Sequence, residues 1–127
     1  MTYCAGQSWT YRSPEGFEAS RMIIGAIARF GDGSQVLCCS VIGAPRKRRG
    51  GGLEAVTIPF LPMTPEAFTA SVVALDGMAN PPDRFEEGLT AWQEDPMGLT
   101  MFTVPFEGFL DRLIALQMAA IVGRSAA

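Results

Sequence analysis

Arg21-Met22-Ile23-Ile24-Gly25-Ala26-Ile27-Ala28-Arg29-Phe30, Gly31-Asp32-Gly33, Ser34-Gln35-Val36-Leu37-Cys38-Cys39-Ser40-Val41-Ile42: this stretch decides the fold. Two apolar runs rich in β-branched residues flank a Gly-Asp-Gly turn. Glycine and aspartate accept positive φ at little steric cost, so the run predicts a β-hairpin with strands over 21–30 and 34–42. Gln7 to Arg12 alternates, with Trp9 and Tyr11 on one face, and predicts a preceding strand. The turn Ser13-Pro14-Glu15-Gly16 follows it. Pro45 to Gly52 predicts a loop, and Leu53 to Phe60 a fourth, weaker strand.

Helix signals dominate the second half. Thr64 suits an N-cap, Pro65 the first helical position and Glu66 the positive helix end. Phe68, Val72 and Leu75 share one face of that helix, which Gly77 ends in a left-handed conformation. Asp83 and Glu86 resemble a capping box ahead of Phe85, Leu89 and Trp92 at helical spacing. Leu99 to Thr103 predicts a short strand joining the sheet. Pro105 opens the clearest helix, with Phe106, Phe109, Leu110, Leu113, Ile114, Met118 and Ile121 as one apolar stripe that Gly123 ends. Strands first and helices later predict one α+β domain over residues 1–127. It is an antiparallel sheet of four to five strands with three helices packed on one face. The expected core includes Ile23, Ile27, Val36, Val41, Phe68, Val72, Phe85, Trp92, Phe102, Phe109, Leu113 and Ile114.

The chain has 127 residues, 48% of them hydrophobic and 18% charged, with net charge −3 and no histidine. That much apolar surface excludes intrinsic disorder. Without histidine, the commonest general base and metal ligand is missing. Four of the ten basic residues sit together at Arg46, Lys47, Arg48 and Arg49, leaving six against thirteen acidic residues elsewhere. An acidic body with one basic tip argues against a dedicated nucleic-acid or membrane-surface protein. The N-terminal residues lack the basic and apolar regions of a signal peptide, and no apolar run approaches the roughly 20 residues of a membrane span. Three cysteines, an odd number, provide no disulfide framework. These features place the protein in the cytoplasm as an expectation.

Gly6-Gln7-Ser8-Trp9-Thr10-Tyr11 resembles the G-x-x-W-x-Y opening of a group of small bacterial proteins with no assigned activity. Leu61-Pro62-Met63-Thr64-Pro65-Glu66-Ala67, Ser71-Val72, Pro82-Asp83-Arg84-Phe85-Glu86-Glu87-Gly88 with Trp92, and Phe102-Thr103 are similar to that group in the same order. The resemblance spans most of the chain and implies no particular chemistry. The group often carries histidines where this sequence has Cys38 and Phe60, which implies that histidine chemistry is not retained here.

The candidate sites carry competing readings. Trp9 and Tyr11 form a stacking platform for a base or ring, or pack as core aromatics. Arg46, Lys47, Arg48 and Arg49 with Gly50, Gly51 and Gly52 can grip phosphate, or form a solvated hairpin tip; the order is not that of a P-loop. Cys38-Cys39 lacks a base to make a thiolate and is poor material for zinc. Strand alternation puts one of the two in the core and the other outward. Glu86-Glu87 and Glu94-Asp95 are neighbours that diverge on a helix and do not converge as a catalytic pair.

Three function classes follow. The favoured one is a non-catalytic binding or protein-interaction domain: an adaptor, inhibitor or immunity-type partner, or a homo-oligomer through the last helix. The alternative is a small-molecule or nucleotide-binding domain using Trp9, Tyr11 and the Arg46–Arg49 loop. An enzyme would need Glu54 or Glu87 to meet Arg12, Arg21 or Arg29 in one cleft. No catalytic residue, metal ligand or cofactor is assigned; a membrane is not expected as partner, and nucleic acid is disfavoured.

Overall fold

In the computed structural model, which describes residues 2–96 and 98–126 with side chains described through 121, the decisive hairpin forms as expected. Strand β2 (Arg21–Arg29) pairs antiparallel with β3 (Gln35–Lys47), from Arg21 opposite Ile42 to Arg29 opposite Gln35. Asp32 closes the turn: its carboxylate accepts from the Ser34 backbone N–H at 2.9 Å and from the Ser34 hydroxyl at 2.6 Å. Both bonds hold the Asp32 pKa below its ordinary value. Gly33 supplies the positive φ of 89° that the turn requires.

Strands β1 (Gln7–Tyr11), β4 (Leu53–Met63) and β5 (Val72–Met78) complete an antiparallel sheet in the order β4-β3-β2-β1-β5. The fold is α+β, with a mostly β N-terminal half and helices α1 (Pro65–Ser71), α2 (Phe85–Gln93) and α3 (Leu110–Ala126) following. β3 runs five residues beyond its expected end, to Lys47. Backbone pairing with β4 through Arg46 opposite Glu54 and Lys47 opposite Leu53 makes strand of what the proline and charges at 45–47 suggested was loop.

The helices cover both faces of the sheet, not one. Alternation along β3 sends Leu37, Cys39 and Val41 into a cluster with Phe68 of α1, Phe106 of the segment before α3, and Leu113 of α3. Val36 and Cys38 point the other way, toward Phe85 and Trp92 of α2. Both cysteines are therefore buried, one on each face, where one outward thiol was expected. A register shift between Ile24 and Ala26 marks an irregularity at Gly25. There α2 approaches closely: a Cβ on Gly25 would lie 2.4 Å from Cζ of Phe85, and one on Gly88 would lie 2.4 Å from Cβ of Phe60.

Other expectations are corrected. α1 begins as expected, with the Thr64 hydroxyl accepting from the Ala67 N–H at 3.1 Å, but it ends at Ser71. Val72 to Met78 is strand because the outer side of β1 needs a partner, and β-branched Val72 and Val73 suit extended backbone. Leu75 is accordingly not a helical core residue. α2 starts after Arg84 with no side-chain cap, so Asp83 does not form the expected capping box. Leu99 to Thr103 contributes only a single parallel bridge, Phe102 to Met63 at the end of β4. α3 starts at Leu110 rather than after Pro105, because Gly108 takes a φ of 116° against Pro14 and the Phe106 N–H donates to the Ser71 hydroxyl at 2.7 Å. Gly123 does not stop it.

Candidate functional site

Trp9 and Tyr11 lie inside the core, at 3% and 5% exposure. Trp9 meets Phe68 and Tyr3 edge-on, with ring centroids 6.0 Å and 5.6 Å apart. Its indole N–H donates to the Gln7 side-chain oxygen at 3.3 Å. Because the Ser20 hydroxyl donates to the Ile42 carbonyl at 2.8 Å, the Tyr11 hydroxyl at 2.8 Å from it is the donor of that pair. Burial raises the Tyr11 pKa. Buried rings with satisfied polar atoms offer no face to a stacking ligand, so these two residues and the basic loop do not form one site.

The basic residues extend along the β3–β4 hairpin, all exposed. The turn is closed by the Arg48 N–H donating to the Gly52 carbonyl at 3.0 Å, with Gly51 and Gly52 at positive φ. Glu54 takes both nearby guanidinium groups: Arg46 donates to it through Nε at 2.9 Å and through a second nitrogen, and Arg48 lies 3.9 Å away. Neither Lys47 nor Arg49 has an ion-pair partner among the described residues. Exposed pairs of this kind are weak and exchange readily with other anions.

Beside the hairpin stem is a cleft of about 410 Å³. Arg46, Lys47, Val56 and Ile58 form one wall, and Phe109, Leu110, Asp111 and Arg112 at the start of α3 form the other. Sequence reasoning missed the α3 side of this cleft, since residues 45–47 and 109–112 are distant in the chain and meet only because Gly108 turns the backbone there.

The residues considered for acid–base chemistry do not converge. Arg21 Nε binds Asp76 at 2.6 Å, Glu87 binds Arg84 at 2.9 Å, and Arg12 donates to the Ala70 carbonyl. Burial pushes the Cys38 thiol up to about 11 and the Cys39 thiol well above its ordinary range, so both stay protonated and poorly nucleophilic at neutral pH. Among the described residues no cluster of acidic or cysteine side chains has the makings of a metal site.

A further exposed feature is apolar. On α3, Leu113 is buried and Gln117 anchors the helix by accepting from the Thr103 N–H at 2.8 Å. Beside that line run Leu110, Ile114, Met118 and Ile121, at 36%, 45%, 56% and 43% exposure. Their spacing of four, four and three residues makes one continuous stripe. Ile114 was expected in the core; it lies on the exposed side of α3, beside Leu113, which the core takes in. β5 adds Val73, Leu75 and Met78 as exposed apolar residues on an edge strand.

No protein family, curated protein or solved structure matches this chain. No helix among the described residues is long and apolar enough to cross a membrane.

Proposed function

We propose that this chain is a non-catalytic protein-interaction domain, working as an adaptor, inhibitor or immunity-type partner. The observation that carries this reading is the stripe Leu110, Ile114, Met118 and Ile121 on α3. Large apolar side chains aligned on one exposed helix face are costly to leave in water and mark a docking surface. Such a face fits an apolar groove on a partner, with residues at i, i+4, i+8 and i+11 as anchors. The scattered carboxylates, each held by an arginine or open to solvent, favour binding over catalysis. Three free thiols, two of them buried and protonated, suit a reducing cytoplasm, where we place the protein.

The test is capture of partners from the source cell by wild-type protein and by two variants. Ile114→Lys/Met118→Lys should lose the captured protein, while replacing Arg46, Lys47, Arg48 and Arg49 together with alanine should retain it. Loss only in the second variant would move the function to the basic hairpin. Size measurement in solution separates a foreign partner from a second copy of this chain on the same stripe. A second reading, small-molecule binding, is favoured by the cleft between the hairpin stem and α3.

A further inference from the structure

We propose that the cleft between the β3–β4 hairpin stem and the start of α3 binds a small organic anion with an apolar body, of the kind represented by a medium-chain carboxylate. Its volume of about 410 Å³ is in the range of pockets that hold small molecules. Each of its walls supplies both apolar and charged side chains. Val56, Ile58 and Phe109 present an apolar surface that would exclude water from a hydrocarbon chain. Arg46, Lys47 and Arg112 line the cleft with one acid, Asp111; Arg46 is also held by Glu54 and Arg112 lies 4.0 Å from Glu107, so Lys47 is the cation left without an ion-pair partner among the described residues.

Arg48 and Arg49 on the same hairpin make this end of the molecule basic, whereas the whole chain carries −3. An acidic body repels anions from most of its surface, and the local excess of positive charge draws them here. Lys47 has no ion-pair partner among the described residues, and Arg112 approaches Glu107 only at 4.0 Å. Lys47 is therefore open to a carboxylate, and the long, exposed Arg112–Glu107 pair exchanges readily with one. An inorganic anion would use the cations but leave Val56, Ile58 and Phe109 wet, and a neutral apolar molecule would leave the cations without a partner. A ligand carrying both parts uses both kinds of side chain.

The probe is 8-anilinonaphthalene-1-sulfonate, an aromatic anion whose fluorescence rises on leaving water, displaced from the full chain by decanoate or by decanol at low salt. Wild-type protein should bind the probe, and decanoate should displace it at about tenfold lower concentration than decanol, as a charge-assisted bond predicts. Lys47→Gln/Arg112→Gln, both exposed substitutions, should bring the two displacers together while the circular-dichroism spectrum stays that of wild type. Ile114→Lys/Met118→Lys should leave the decanoate preference intact, which distinguishes this site from the stripe it adjoins at Leu110. The proposal is overturned if wild type does not bind the probe or shows no decanoate preference. It is equally overturned if the Lys47/Arg112 variant retains that preference, or if the α3 variant abolishes it.

Discussion

Replacing Gly25 with alanine tests how the second helix is seated. The added Cβ would lie 2.4, 2.6 and 2.7 Å from Cζ, Cε1 and Cε2 of Phe85. Carbon atoms in contact prefer about 3.5–4.0 Å, so the ring must withdraw by roughly 1 Å. It has little room to do so. Phe85 is 1% exposed, its ring centre lies 5.8 Å from that of Phe60, and Phe60 in turn lies 5.8 Å from Trp92. Overpacking of this kind costs about 1–3 kcal/mol. Alanine also restricts the unfolded chain, which opposes the loss by about 0.4–1 kcal/mol at a position whose φ is not positive. The net expectation is a loss of about 1–2 kcal/mol, or a Tm lower by about 4–8 °C for a chain of this length. Denaturant unfolding and thermal melts measure it. Gly31→Ala is the control, since a Cβ there meets nothing within 4 Å. Phe85→Leu should relieve part of the penalty, so the double variant should be more stable than the two single losses predict by addition. A Gly25→Ala protein that melts at or above wild type, or strict additivity with Phe85→Leu, would refute the close seating of α2 on β2.

Ser71→Ala should cost about 1–3 kcal/mol, because the Ser71 hydroxyl accepts from the Phe106 N–H and donates to the Ala67 carbonyl, each at 2.7 Å in the buried interior; equilibrium unfolding reads the loss, and an unchanged midpoint contradicts it. Native protein should expose one reactive thiol, Cys4, to a thiol reagent and all three once unfolded; rapid native labelling of two or more contradicts the burial of Cys38 and Cys39. The Cys38 pKa, about 11 when folded, exceeds the roughly 8.5 of an unfolded thiol. The unfolded chain therefore loses its protons first, and this contribution to stability is intact below about pH 8.5 and declines as pH rises toward about 11. Unfolding curves at neutral and alkaline pH should show that decline, and Cys38→Ala should make it shallower. Replacing Arg46, Lys47, Arg48 and Arg49 together with alanine should shift stability by no more than about 0.5 kcal/mol per residue, since each side chain is exposed; a larger fall in the melting midpoint would make the hairpin tip structural.

The hairpin over 21–42 and the start of α1 were legible because their signals are local. Gly33 has the conformation its turn needs, and Thr64 caps the helix that Pro65 opens. Val72 to Met78 was not legible, since whether two valines continue a helix or enter a strand depends on whether a neighbouring strand has an open edge. β1 has one, and that partner lies more than sixty residues away in the chain. The candidate site shows the same division. The four basic residues stand out in the sequence, but the wall facing two of them, Phe109 to Arg112, comes from the start of α3. Trp9 and Tyr11 look alike as core or as platform until the helices cover them.

By itself, then, the amino-acid order determined what short-range chemistry can decide: the α+β class, the hairpin turns, the cap of α1, the period of the helices and the acidic body with its basic tip. Tertiary structure alone decided which surfaces remained in water. Alternation along β3 buried Cys38 and Cys39 on opposite faces, because helices lie on both sides of the sheet. On α3 a single apolar stripe was divided between Leu113 inside and Ile114, Met118 and Ile121 outside. Periodicity defines which residues share a helix face, but burial depends on what that face meets: Leu113 joins the core cluster of the sheet, and Ile114, one residue on, does not.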